Sequence, residues 1–266
     1  MNTLAENILR MKQREWIHLR DLILELVARN IKIIYKGSVI GIAWSLIHPL
    51  AQLLIYYFLF QKVITLKINR YSLFTFCGLI VWNWFLTSVS QGAVVIVASR
   101  ELIRQPNFKL SILPIVTVLT NGINFVLSLV VLFFVLILTG TVPGISLVGL
   151  PMVIAIQFVL TTGIVYFLAA MNVVFRDTQH LVTVILQMFF FITPIFYDIS
   201  SVPVQYRAFY SLNPMTHIIS AYRTIIMTGA FPEWSPLFVI SIFSVILLWI
   251  GLLFFQHMSC RFIDEL

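Results

Sequence analysis

Six long apolar stretches, near residues 39–60, 73–98, 110–138, 146–175, 181–197 and 237–257, contain no Asp, Glu, Lys or Arg. That single feature excludes most folds open to a chain of this length. Runs of this length and purity are long enough to meet a hydrocarbon core, where every backbone polar group must find a partner within the protein. With 60% hydrophobic and only 10% charged residues, the expected fold is all-α: a polytopic membrane protein of six transmembrane helices. The chain reads as one transmembrane domain. Residues 1–37 form a cytoplasmic or interfacial segment, 38–257 the six-span bundle and 258–266 a short cytoplasmic tail. No cleavable signal peptide is expected, because the first 18 residues are polar and charged. Cys77 and Cys260 sit in unlike surroundings and suggest neither a disulfide nor a metal site.

The fifth stretch is the unusual one. It follows a charged turn, Arg176-Asp177, and runs from Leu181 to Tyr197, interrupted by Thr183, Gln187 and Thr193-Pro194. At ~1.5 Å per helical residue it reaches only about 26 Å, short of a ~30 Å core. Pro194 removes one helix hydrogen bond near its far end. A short, proline-broken, Phe-rich segment points to backbone lining a cavity; a plain kinked span is the alternative.

Residues 19–36 have the pattern of an amphipathic helix. Leu19, Leu22, Ile23, Leu26, Val27, Ile31 and Ile34 share one face; Asp21, Glu25, Arg29, Lys32 and Lys36 share the other. Glu25 and Arg29 form a favourable i,i+4 pair. The segment is too charged to span, so a helix lying in the interface against lipid headgroups is expected; a helix packed on a partner protein is the alternative. The formal net charge of +7 is read by position, as topology and not as a nucleic-acid footprint. With the N-terminus inside, twelve Lys and Arg fall on the inner side and five on the outer. Both termini are therefore expected in the cytoplasm.

Trp44, His48, Gln52 and Tyr56 recur at i+4 steps along the first span and form one semi-polar stripe. It reads either as the lining of a passage or as interhelical hydrogen bonding. Thr117, Asn121, Asn124 and Ser128 in the third span, and Gln157, Thr161 and Thr162 in the fourth, read as packing contacts. Between the second and third spans, residues 99–109 suggest a compact helix with Arg100, Glu101, Leu102, Ile103 and Arg104. It would be a docking knob for a cytoplasmic partner or an ordinary loop. On the outer side, Asn213-Pro214 signals a helix start, and an amphipathic helix should run to about Gly229. Arg223 falls away from its apolar face.

The chain lacks a phosphate-binding loop of the GxxxxGK[ST] type, clustered His and Cys, and paired carboxylates. No cofactor or metal is expected in this chain. With no ionisable side chain in mid-membrane except His48, a proton relay is disfavoured, and uphill movement would need energy from a separate subunit.

Three segments carry a resemblance: GSVIGIAWSLIHPLAQLLIYYFLF, then NVVFRDTQHLV with LQMFFFITPIFY, then LNPMTHIISAYRTIIMTG. In order and spacing they resemble type-2 ABC exporter permeases of the branch that exports O-antigen and teichoic acid. The resemblance implies a permease homodimer in the bacterial inner membrane. It also implies two copies of a cytoplasmic ABC ATPase, which bind the ATP and Mg, and a lipid-linked polysaccharide as substrate. Residues 99–109 become the ATPase-coupling helix, with Arg176 and Asp177 in the second cytoplasmic loop. The first and fifth spans line the channel, and residues 189–223 form outer re-entrant gate helices. Trp44, Tyr56, Phe190, Phe191 and Tyr197 become candidates for sugar contact, with His48, Gln52 and Gln187 as neutral polar neighbours. Arg223 becomes a partner for an anionic group or an interface anchor. Capsule polysaccharide, teichoic acid, a drug or a lipid are alternative cargoes for the same fold. A membrane enzyme acting on lipid-linked sugars is a poorer fit, because Asp177 is the only acid between Ala170 and Tyr197.

Overall fold

A computed structural model describes residues 2–36, 44–59, 71–103, 108–140, 144–260 and 262. The chain divides into two compact units, Met1–Ile42 and Ala43–Leu266. The first holds one helix, α1 (Asn2–Tyr35), longer than the amphipathic pattern alone suggests. Asp21, Glu25, Arg29, Lys32 and Lys36 are exposed, as their shared face requires. The ion pair among the described residues is Arg20–Asp21 at 2.9 Å, not Glu25–Arg29. At the surface such a pair contributes little.

The second unit is all helix among its described residues. It comprises α2 (Trp44–Phe58), α3 (Tyr71–Ala98), α4 (Arg100–Ile103), α5 (Ile112–Leu138), α6 (Leu150–Val174), α7 (Thr178–Ile192), α8 (Val204–Leu212), α9 (Pro214–Arg223) and α10 (Trp234–Ser259). Among the described residues, four segments are long and apolar enough to cross a membrane: α3, α5, α10, and α6 with the 3-10 turn Ile145–Gly149 before it. Helix α7, in the fifth expected span, is shorter: its 15 residues extend only about 22 Å. The described part of the first expected span is α2, with Pro49 inside it. The Gly37-x-x-x-Gly41 spacing at the entry to the first expected span, a pattern that can allow close helix approach, lies outside the described residues.

The centre of the bundle is α3, α5, α6 and α10. Trp82, Leu132, Leu160 and Val153 are buried there, beside Phe76 and Val81. Without water to drive apolar faces together, helices in lipid associate through close packing and hydrogen bonds. Both are present. The Gln157 amide donates to the Val81 carbonyl at 3.0 Å, Trp84 Nε1 to the Val118 carbonyl at 3.1 Å, and Asn121 Nδ2 to Gln91 Oε1 at 3.0 Å. The neighbouring hydroxyls act differently from the expectation. Thr117, Thr161, Thr162 and Ser128 donate to carbonyls four residues back on their own helices, because that acceptor is always within reach.

Backbone approaches backbone most closely where α6 crosses α10. A Cβ placed on Gly163 would stand 2.8 Å from the Leu248 nitrogen, and one on Gly251 would stand 2.6 Å from the Gly163 carbonyl oxygen. Only glycine lets the two backbones meet. Gly251→Val should therefore separate the helices and destabilise the bundle by about 1–3 kcal/mol, read as a lowered unfolding midpoint of the purified protein in detergent. An equal change at Gly140, which has open space around it but a positive φ of 75°, should act only through local backbone strain.

Candidate gate and membrane passage

The fifth apolar segment breaks where the sequence predicts. Helix α7 stops at Ile192, and Thr193 and Pro194 turn the chain. The Thr193 amide and hydroxyl both donate to the Phe189 carbonyl, at 2.8 and 2.7 Å. Pro194 cannot continue the ladder, so the carbonyls that follow need other donors. Each is supplied from elsewhere in the chain. Arg223 donates through Nη1 to the Pro194 carbonyl at 2.7 Å and through Nη2 to the Ile195 carbonyl at 2.6 Å. The Tyr71 hydroxyl donates to the Phe196 carbonyl. Arg223 Nε also reaches the Phe74 carbonyl at 3.3 Å, and the guanidinium carbon lies 3.5 Å over the Phe74 ring. The Asn213 amide donates to Thr193 Oγ1 at 2.8 Å, while its Oδ1 caps α9 by accepting from the Met215 nitrogen at 3.0 Å.

This changes the reading of Arg223. Its side chain is 9% exposed, so it is not an anchor at the membrane surface, and three of its donors are already engaged within the protein. The reason is local: two successive carbonyls lacking helical partners, those of Pro194 and Ile195, take its Nη1 and Nη2. Gly78 makes room for it. A Cβ there would stand 2.6 Å from Arg223 Nη2 and 3.4 Å from the Ile195 carbonyl oxygen. Sequence reasoning missed Tyr71, Gly78 and Thr193, because no local pattern marks a residue whose partner lies far along the chain. Asn213 was legible only as a helix cap.

Beyond the turn, Asp198 accepts from the Ser200 nitrogen at 2.8 Å and opens the turn Ile199–Ser201. Partial burial opposes its charge, yet the hydrogen bonds from Ser200 and the nearby Arg223 hold its carboxyl below the usual value. Helix α8 follows, with Arg207 donating back to the Val202 and Ser200 carbonyls at 2.9 and 2.8 Å. After α9 comes a π-helical turn, Thr224–Thr228, closed by Gly229 at φ 65°. A cavity of ≈ 630 Å³ opens beside α9, lined in part by Phe74, Asp198, His217, Arg223, Glu233 and Leu237.

The candidate lining residues separate into groups. On α7, the buried seam is Thr178, Val182 and Leu186. Gln187 and Phe191 are exposed, Phe191 at 72%. Phe190 is half-buried and packs on Trp82, ring centroids 6.0 Å apart. The Tyr197 hydroxyl donates to the Phe191 carbonyl at 3.0 Å and meets the Tyr210 hydroxyl at 3.1 Å, tying the end of α7 to α8. On α2, Pro49 and Leu53 are buried and Gln52 is half-buried. Trp44, His48 and Tyr56 stand on the same helix, but their side chains lie outside the described residues.

At the opposite end of the bundle, α4 exposes Arg100 and Glu101 and turns Leu102 inward, its nitrogen donating to the Ser99 carbonyl at 3.0 Å. The side chain of Ile103 and all of Arg104 lie outside the described residues. The turn between α6 and α7 exposes Arg176 and Asp177. Asn172 Oδ1 accepts from the Gln179 nitrogen at 3.2 Å across that turn.

Four long apolar helices among the described residues, the short helix α7 and a braced turn between α7 and α9 define a polytopic helical membrane protein with an interrupted span. The chain belongs to the ABC-2 type transporter family, whose model matches residues 21–227. It is 35% identical over 255 residues to the O-antigen export system permease protein RfbA of Myxococcus xanthus, covering 95% of this chain and 98% of that one. It is 30% identical to the protein of the same name from Klebsiella pneumoniae, covering 94% and 96%. It is 24% identical to the polysialic acid transport protein KpsM of Escherichia coli, covering 87% and 91%.

Arg223→Met would leave the carbonyls of Pro194 and Ile195 buried without donors. Each such loss costs ~1–3 kcal/mol, so the unfolding midpoint should fall clearly. Arg223→Lys should recover little, because one ammonium cannot match the planar fork. Gly78→Ala should give a smaller loss in the same assay.

Proposed function

We propose that this chain is the permease subunit of an ABC exporter that moves a lipid-linked polysaccharide of the O-antigen type from the cytoplasm to the outer leaflet of the inner membrane. The observation that carries the passage is the exposed faces of α2 and of the short helix α7. Ile47, Leu54 and Phe58 on one, and Val184, Met188 and Phe191 on the other, stay exposed. Two copies of the chain would bring four such faces around a common path, and the homodimer follows from that need. The likeness to O-antigen permeases over nearly the whole chain supports the cargo.

The chain acts as a conduit and not as an enzyme. ATP and Mg would be bound by a separate ABC ATPase, in two copies. Arg100, Glu101 and Leu102 on α4, with Ile103 and Arg104 beyond, form the contact that receives its motion. Arg176 and Asp177, exposed at the same end of the bundle, would form the second contact. The Lys and Arg count places that end and both termini in the cytoplasm. Outside, the braced turn at 193–196 with α8 and α9 forms the gate. Exposed Phe191, with Trp44 and Tyr56, offers aromatic faces to sugar rings; His48, Gln52 and Gln187 offer neutral polar groups to hydroxyls. Phe190 and Tyr197 hold the gate's shape.

The test is transport of defined lipid-linked glycans into vesicles holding the permease and its ATPase. Movement of O-antigen-type glycans supports the proposal; movement of capsule-type or teichoic-type polymers alone, or of lipids lacking a glycan, rejects it. In the same system, Leu102→Asp with Arg104→Glu should abolish export and stimulated ATP hydrolysis while membrane insertion stays normal. Tyr56→Ala and Phe191→Ala should each slow glycan passage by roughly tenfold, the scale of about 1.4 kcal/mol, with ATPase binding unchanged.

A further inference from the structure

Beyond α10, Phe262 is fully buried. Its ring meets Phe255 edge-on, with centroids 5.3 Å apart, and Phe255 meets Tyr166 of α6 edge-on at 5.4 Å. The Tyr166 hydroxyl then donates to the Ser111 carbonyl at 2.5 Å, at the root of α5. These aromatics sit in a cluster of their own, separate from the main core, with Ile96, Leu113, Ala169 and Val173. Leu102 of α4 and Phe108 pack against that cluster. The short helix α4 therefore rests through Leu102 on a cluster built from α3, α5, α6, α10 and Phe262, while Arg100 and Glu101 face outward.

We infer that Phe262 is a positioning residue for the ATPase-contact segment. It wedges the far end of α10 beneath the seat of α4, so that a push on α4 is delivered to α6 and α10 together. This rests on the proposed role of residues 99–109 as the ATPase contact. A four-residue helix has no stiffness of its own, since a single helical turn is not stable in isolation. Its ability to transmit a force depends on what it rests against. Edge-to-face aromatic contacts supply a firm, directional bearing. The Tyr166–Ser111 hydrogen bond fixes that bearing to the backbone on which residues 108–111 end. Removing the Phe262 ring opens a void in the bearing while leaving every group on the outward face of α4 in place.

The experiment uses the intact permease–ATPase complex in vesicles and measures glycan moved per ATP hydrolysed. With Phe262→Ala, the complex should still co-purify, but the ratio should fall roughly tenfold, within the usual range of a coupling term. Phe262→Leu, which fills most of the space, should restore most of it. Tyr166→Phe keeps the ring and removes only the hydrogen bond to Ser111, and should lower the ratio roughly threefold, about half of that coupling on a logarithmic scale. An unchanged ratio in Phe262→Ala overturns the inference. If that variant does not fold, an unchanged ratio in Tyr166→Phe overturns it instead. The underlying reading fails separately: if Leu102→Asp with Arg104→Glu leaves ATPase co-purification and stimulation intact, residues 99–109 are not the contact.

Discussion

Three consecutive carbonyls, those of Pro194, Ile195 and Phe196, have each been captured by a side chain from another element. A chain turning back within or near a bilayer cannot leave such groups bare, because neither lipid nor distant water will satisfy them. The loss of an internal ladder at Pro194 creates the demand. Arg223 and Tyr71 meet it, and Gly78 leaves the space through which the guanidinium reaches. Charge-assisted donors are stronger than neutral ones, and the Phe74 face beneath the guanidinium adds a cation–π contact. The turn is thus fixed to α3 and α9 at once. The position of α8, reached through Tyr197 and Tyr210, depends on it in turn.

The bundle divides into parts that are finished and parts that are not. Helices α3 and α6 are buried along much of their length and meet their neighbours through glycine and amide contacts. Helices α2 and α7 bury single seams and leave wide apolar faces bare. Exposed apolar surface is ordinary for a helix facing lipid, so exposure alone says little. The unusual point is that α7 is also short, with 15 residues, and bears a polar Gln187 on its open face. A helix too short to span, with polar groups facing outward, is better suited to a shared interior than to hydrocarbon.

The two ends of the molecule are held by different chemistry. At the 193–196 turn the restraints are hydrogen bonds to backbone, specific in direction and costly to break one at a time. On the α4 side they are aromatic rings and aliphatic side chains, with one hydroxyl fixing the register. Polar restraints suit a turn that must keep one shape or switch to another. A packed apolar bearing suits a surface that must pass on a displacement. Helices α6 and α10 join the ends, touching backbone to backbone at Gly163 and Gly251.

The amino-acid sequence by itself determined the class of fold, the number of apolar segments and the weakness of the fifth. It also marked the helix start at Asn213 and the exposed charges at Arg176 and Asp177. All of these rest on composition or on spacing within a few residues, where solvent preference and backbone geometry decide the outcome. The fate of Arg223 was not legible, and the periodicity of α9 even pointed it the wrong way. Nor could the sequence distinguish the amides that bridge helices, Gln157 and Asn121, from the hydroxyls beside them that turn back on their own backbone. Only the tertiary structure decided these, because each depends on which acceptor stands opposite. For Arg223 one such acceptor lies 149 positions away in the chain, and burial among partners so distant is a property of the packed bundle and of no single segment.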